Sequence, residues 1–208
     1  MIKIYGLAIS SCTRRVALVL QEKGVPYDLI QVPPNNFKSE EHRKRQPFSQ
    51  IPVLDDEGYQ LYESRAIARY IAAKYHDQGT VGLYPSPGDY RAIGLFERAC
   101  SLEYSQFYPI VERLMKEDII IKLRGGSSDG NVIQVLKSRL EEKLDVYNVI
   151  LSEQKYLAGS SITLADLFHV PELDVINKHY GHIISSRAHV NRWWKDLSAR
   201  ESWKAVSQ

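Results

Sequence analysis

The sequence predicts an α/β domain followed by an all-helical domain. Three observations carry that expectation. The first 76 residues alternate short β-branched or aromatic runs with helical stretches, and the segment between His76 and Asp89 is rich in breakers, ending in Pro85-Ser86-Pro87-Gly88. Beyond it, apolar residues recur at helical spacing without a further strand pattern. The expected division is therefore an α/β domain over 1–76, a linker over 77–89 and a helical domain over 90–208.

Taken in order, Ile2-Lys3-Ile4-Tyr5 alternates like a short strand, and the loop from Gly6 to Cys12 ends in hydroxyl residues suited to starting a helix. From Thr13 to Lys23, Val16, Val19 and Leu20 share one helical face, and Gly24 suits a C-terminal cap. Tyr27 to Val32 reads as a second strand, and the strand-helix-strand order implies that it pairs in parallel with the first. Pro33 to Arg45 is polar and is expected to be an irregular loop, either a lid or an edge that touches ligand. Next come a strand entered through Ile51-Pro52, a turn at Asp56-Glu57-Gly58, a second strand, and a helix opening at Ser64 and running to Tyr75. The order β-α-β, link, β-β-α is that of a compact thioredoxin-like domain.

In the second part, helices are expected at roughly 90–117, 130–152, 164–178 and 190–206. Val132, Val135, Leu136, Leu140, Leu144, Tyr147 and Leu151 are expected on one buried face of the second. Thr163-Leu164-Ala165-Asp166 has the shape of a helix capping box, with Ile162 and Leu167 as a hydrophobic staple, so Asp166 reads as a structural residue instead of a catalytic acid.

Composition narrows the function classes. With 44% hydrophobic and 25% charged residues in 208, the chain reads as an ordinary globular protein, neither disordered nor membrane-spanning, and a net charge of +2 gives no argument for nucleic acid. The opening residues lack the layout of a signal peptide, so a cytoplasmic location is expected. Cys12 and Cys100 form neither a metal-ligand nor a redox spacing, and the six histidines, read as surface or capping residues, share no ligand pattern; no metal or other cofactor is expected.

Two stretches point to a ligand. An Ile-Pro bond just before a strand can be cis, which would turn the Ile51 amide and carbonyl away from the sheet toward an extended peptide. A helix opening at Glu63-Ser64 offers free N–H groups, a hydroxyl and the positive end of a dipole, all suited to a carboxylate. A small peptide with a terminal carboxylate would meet both.

The chain resembles a cytosolic glutathione transferase over essentially its whole length. The resemblance is carried by Pro47-Phe48-Ser49-Gln50-Ile51-Pro52, Tyr62-Glu63-Ser64-Arg65-Ala66-Ile67, the Thr163–Asp166 box and Asn191-Arg192-Trp193-Trp194. The loop Ser10-Ser11-Cys12-Thr13-Arg14-Arg15-Val16 and the Asn-Arg-Trp-Trp segment are most similar to the serine-type phi class of plants and its fungal relatives. The resemblance implies glutathione as co-substrate, with Ile51 pairing to its cysteinyl backbone, Pro52 in the cis-proline position and Glu63 and Ser64 on its γ-glutamyl end. Gln50 and Lys38 are implied at its other polar groups, while Phe37 stands where many phi members have a histidine. It further implies an apolar acceptor site with Leu7, Ile9, Phe107 and Tyr108, a homodimer contact through Phe48, hydrophobic electrophiles as second substrates and no nucleic-acid or membrane partner.

Ser10 is aligned with the catalytic serine of that family. No compelling Ser-His-Asp arrangement accompanies it, so its expected role is to donate a hydrogen bond to the glutathione sulfur and stabilise a thiolate beside the positive end of the first helix, with Arg14 and Arg15 adding to the field. Lowering a thiol pKa from about 8.5 to about 6.5 raises the thiolate fraction at pH 7 by roughly 25-fold. A Brønsted slope near 0.45 takes back about eightfold, leaving a net gain of about threefold, so most acceleration has to come from holding thiolate and electrophile together. Peroxide reduction is a compatible side activity. Two alternatives stay open: a Cys12-dependent glutathione-linked oxidoreductase, and a non-catalytic ligand carrier.

Overall fold

The computed structural model describes residues 1–207. The chain divides into two compact units, one comprising 1–85 with 199–208 and the other 86–198.

The first unit holds a four-stranded sheet of β1 (Ile2–Gly6), β2 (Tyr27–Gln31), β3 (Val53–Asp56) and β4 (Tyr59–Tyr62), in the order β2-β1-β3-β4. β1 and β2 run parallel, as the strand-helix-strand order requires, while β3 is antiparallel to β1 and β4 to β3. Helix α1 (Ser11–Lys23) packs against α3 (Ser64–Lys74) and buries Val16, Leu18, Val19 and Leu20. Gly24 ends α1 at φ 61°, and the Val25 N–H closes back on the Leu20 carbonyl at 2.9 Å, the expected left-handed stop. The β3–β4 hairpin turns at Glu57 and Gly58, both at positive φ, as a two-residue turn of matching twist requires. Its buried Asp56 accepts from the Tyr70 hydroxyl at 2.7 Å and from the Lys74 ammonium, fastening the hairpin to α3. Burial raises the Asp56 carboxyl, but these donors outweigh it and hold the group below the ordinary range.

Two features of this unit depart from the sequence expectation. The polar excursion is not wholly irregular: a 3-10 turn at Pro34–Asn36 precedes a short helix, α2 (Glu40–Arg45), capped by the Ser39 hydroxyl, which accepts from the His42 N–H at 3.2 Å. Five of its six residues are charged side chains, which masked the helix, and only His42 is buried. Residues 199–208, expected in the helical domain, belong instead to the first unit: α11 (Glu201–Ser207) packs on α1. The cause is ionic. The Arg200 guanidinium grips the buried Glu22 carboxylate at 2.5 and 2.6 Å, while Thr80 at 2.5 Å and Ser202 also donate to it. Gly79 lets this corner close, since a β-carbon there would sit 2.2 Å from the Glu22 carbonyl.

The second unit contains α4 (Tyr90–Leu102), α5 (Tyr108–Leu114), α6 (Ile121–Leu123), α7 (Gly130–Glu153), α8 (Leu164–Leu167), α9 (Val170–Ser185) and α10 (Ala188–Ser198). The helix expected as one piece from 90 to 117 carries wide π turns at Glu103–Phe107 and Met115–Ile120. Pro109 accounts for the first, because it cannot donate to the carbonyl four residues back and its ring would crowd it. Along α7 the buried positions are Leu136, Leu140, Leu144, Tyr147 and Leu151, whereas Val135 lies about 100° round the helix from Leu136 and is 58% exposed. The 164–178 helix is two, broken before Pro171, and α9 continues to Ser185 across a non-helical Tyr180.

The Thr163–Asp166 box forms as read. Asp166 is fully buried and accepts from the Thr163 N–H at 2.9 Å, the Leu157 N–H at 2.9 Å and the Trp193 indole at 3.0 Å. Its burial pushes the carboxyl up, and these donors only partly counter that. Beside it His169, also buried, bonds the Ala165 carbonyl through Nδ1 at 2.8 Å and the Tyr147 hydroxyl through Nε2 at 3.1 Å. Two of the six histidines, His42 and His169, are thus interior residues and not surface ones, each with carbonyl partners that offset the cost of burial.

Candidate functional site

The site lies in the first unit, where α1, the β3 entry and α3 begin. Ser10 is the N-cap of α1, and its Oγ accepts from the Thr13 N–H at a long 3.5 Å. Capping and a chemical role are therefore compatible in one hydroxyl. The cap occupies an acceptor lone pair, and the O–H proton is left to donate.

The Ile51-Pro52 bond is cis. The β1–β3 ladder begins at Val53, so the Ile51 peptide lies beyond the sheet pairing. Gln50 is exposed and follows Ser49, a non-glycine residue at φ 59°. Lys38 is exposed between the 3-10 turn and α2, and Phe37 is half-buried against the His42 ring, 6.1 Å between centroids.

At the start of α3, Glu63 sits at φ 71°, strained for a residue with a β-carbon, and its side chain does not cap the helix. The first amides of α3 keep their positive end toward the site. Ser64 is 5% exposed, and its Oγ accepts from the Arg15 guanidinium at 2.8 Å. Arg15 is completely buried on α1 and also donates to the Cys12 Sγ at 3.5 Å. Because a guanidinium only donates, the Ser64 hydroxyl is forced into the acceptor role toward Arg15 and directs its own proton elsewhere. Sequence reading placed Arg15 in a general positive field; the structure gives it a specific partner 49 residues away. Its neighbour Arg14 instead donates to the Ala8 carbonyl at 2.8 Å, closing the loop ahead of Ser10.

Of the residues expected at an acceptor site, Leu7 is half-buried and Ile9 is 79% exposed on that loop. In the second unit Tyr108 is half-buried, but Phe107 is not a wall residue. It has no exposed surface, and its ring lies 4.8 Å from His169 and 6.3 Å from Tyr147, so the π turn carries it into the helical core. Phe48 is 69% exposed, touched at its edge by Tyr62 at 6.4 Å. Cys12 and Cys100 are both free thiols.

The sheet order, the cis-proline ahead of β3 and a helical second unit define the class: a thioredoxin-like protein with an appended helical domain. Comparison with known proteins carries this further. Residues 4–79 match the N-terminal domain of glutathione S-transferases and residues 107–201 the C-terminal domain. The chain is 42% identical to glutathione S-transferase hmp2 of Hypomyces subiculosus over 213 aligned positions, covering 100% of this chain and 98% of that protein. Among solved structures, glutathione transferase F2 of Populus trichocarpa superposes with a TM-score of 0.94 at 35% identity, over 100% of this chain and 97% of that one. Glutathione S-transferase I of maize, solved with an atrazine glutathione conjugate, gives 0.91 at 31% identity, over 99% and 96%. The chain belongs to the glutathione S-transferase family, and its plant relatives are of the phi class. It is a transferase that uses glutathione as co-substrate. Among the described residues no helix is long and apolar enough to cross a membrane.

Proposed function

We propose that Ser10 donates a hydrogen bond from its hydroxyl to the glutathione sulfur, stabilises it as a thiolate, and so promotes attack of that thiolate on hydrophobic electrophiles, whose leaving group departs as the carbon–sulfur bond forms. The observation that carries this reading is the Ser10 cap itself: Oγ accepts from Thr13, leaving the donor available where the α1 dipole favours negative charge. Glutathione is held by the Ile51 backbone beside Pro52, by Gln50 and Lys38, and by Glu63 and Ser64 at its γ-glutamyl end. Ser64 suits a carboxylate because Arg15 occupies its acceptor side. Leu7 and Ile9 meet the acceptor from the first unit, and Tyr108 is assigned to acceptor contact in the second by family resemblance. Phe48 joins two copies as a homodimer, and the protein works in the cytoplasm. The maize relative solved with an atrazine conjugate supports aromatic, halide-bearing acceptors as the first class to test.

Steady-state assays with an aromatic halide, and with a peroxide, test the assignment. Ser10→Ala is expected to lower conjugation and any peroxidase activity by about 100-fold or more, the scale of losing a donor aimed at developing charge, with glutathione affinity nearly unchanged. An undiminished Ser10→Ala rate overturns the mechanism. A second reading has its own observation: the Arg15 guanidinium donates to the Cys12 sulfur at 3.5 Å, so a free thiol in the first turn of α1 has a cation beside it. Activity on a glutathione mixed disulfide that vanishes in Cys12→Ser and survives in Ser10→Ala would establish that reading instead.

A further inference from the structure

We infer that His42, a residue outside the glutathione-binding set proposed above, is the positioning residue that aims the Ile51 N–H at glutathione. The inference rests on the glutathione reading of the site and adds to it a device for setting the direction of one peptide plane.

The His42 ring is 2% exposed, and its Nε2 lies 2.8 Å from the carbonyl oxygen of Gln50. A carbonyl only accepts, so Nε2 carries a proton and donates it, while Nδ1 is buried without a partner. His42 thus presents a single directed donor, Nε2, to the segment that follows α2. The Gln50 carbonyl belongs to the same planar group as the Ile51 N–H. Among the described residues the cis bond of this segment is the next one, Ile51-Pro52, so the Gln50–Ile51 peptide is trans and its C=O and N–H point in opposite directions. Holding the oxygen toward α2 therefore turns the N–H away from α2, on the side where the sheet ladder has not yet begun.

The local chain shows why a tie is needed here. The segment between α2 and β3 leaves the helix with the Gln46 N–H on the His42 carbonyl at 2.8 Å. The buried Gln46 side chain accepts from the Phe48 N–H at 2.6 Å, and the Ser49 N–H meets the Gln46 carbonyl at 3.0 Å. These bonds coil the turn from Gln46 to Ser49, after which Ser49 takes a positive φ. None of them reaches the Gln50–Ile51 peptide. The imidazole does, from a helix whose own start is capped by Ser39 at 3.2 Å. Packing alone would not ask for a histidine at this place, since a phenylalanine could fill the same volume beside Phe37, 6.1 Å away.

Two substitutions separate direction from packing. His42→Phe keeps the ring volume and removes the donor, whereas His42→Gln keeps an N–H donor at similar reach with poorer packing. Glutathione binding is measured by calorimetry, and KM and kcat are measured with an aromatic halide. His42→Phe is expected to raise the glutathione Kd and KM about fivefold to tenfold, with kcat at saturating glutathione within about twofold of wild type, and His42→Gln to stay within about twofold on all of them. A His42→Phe protein that binds glutathione like wild type, or a His42→Gln protein as weak as His42→Phe, overturns the inference, since a packing role ranks the two the other way. Should His42→Phe fail to fold, His42→Asn, whose amide is too short to reach the carbonyl, is expected to show the same rise, and wild-type affinity there overturns it equally. A wild-type protein that binds no glutathione would overturn the reading of the site and this inference together, which distinguishes that failure from a flat His42 series.

Discussion

Replacing Arg200 by methionine tests the ionic corner that returns residues 199–208 to the first unit. Glu22 is buried, with its side chain 2% exposed, and takes two guanidinium bonds at 2.5 and 2.6 Å beside the Thr80 and Ser202 hydroxyls. Removing one partner of such a buried pair leaves an uncompensated charge, a cost of about 3–5 kcal/mol. For a chain of this length each kcal/mol moves the melting temperature by roughly 2–4 °C, so Arg200→Met is expected to melt about 6–20 °C below wild type at pH 7. The pH dependence gives the sharper test. Burial raises the Glu22 carboxyl, but the donors from Arg200, Ser202 and Thr80 outweigh it and leave it below its ordinary value of 4.5. In wild type that stabilisation is therefore present above the unfolded value and is lost as pH falls through the lower folded one. In Arg200→Met burial acts with its main opponent gone, so the folded value rises above the unfolded one and the penalty shrinks as Glu22 takes up its proton. The gap between the two proteins is expected to narrow on going from pH 7 to pH 5, and Glu22→Met/Arg200→Met is expected to recover most of the loss. A gap of the same size at both pH values, read by thermal unfolding, would refute the argument.

Two further outcomes follow from the site. Arg15→Met removes a charged donor from the Ser64 hydroxyl, a loss of about 1.5–3 kcal/mol, and is expected to weaken glutathione binding about tenfold or more. The deficit should disappear with cysteinylglycine, a thiol lacking the γ-glutamyl group, and an equal deficit with both thiols counts against a role through Ser64. Phe48→Ser takes away an aromatic ring that is 69% exposed, so the fold should hold by circular dichroism. Its loss from a shared interface is expected to weaken self-association by about 2 kcal/mol, or roughly thirtyfold, in sedimentation, and an unaltered dimer argues against the contact.

What could be read from the sequence was what short-range chemistry determines. The Gly24 stop, the Thr163–Asp166 box and the position of Pro52 each depend on residues within a few places of one another, the parallel β1–β2 pair, which joins Ile2 to Tyr27, follows from the strand-helix-strand order, and each is found in the structure. The features that escaped are made by partners distant in sequence or by competing local effects. Arg15 meets Ser64 across 49 positions and Glu22 meets Arg200 across 178, and neither pair has a spacing that periodicity can detect. Helix α2 was hidden by its run of charges, and His42 is recognisable as interior only once Gln50 is folded beside it. Phe107 was expected to face an acceptor, but the π turn ahead of Pro109 rotates it inward, a register change that a 3.6-residue pattern cannot foresee.

The return of residues 199–208 to the first unit also has a consequence for how the protein is made. Glu22 leaves the ribosome long before Arg200 exists, and at about 5–20 residues per second the interval between them is roughly ten to thirty-five seconds. During that time the nascent α/β unit carries an acidic group in a position shaped for burial but without its guanidinium, and α1 without the helix that later covers it. The domain whose residues are synthesised first is thus completed only after the whole helical unit has been translated, so the order of synthesis is not the order of completion.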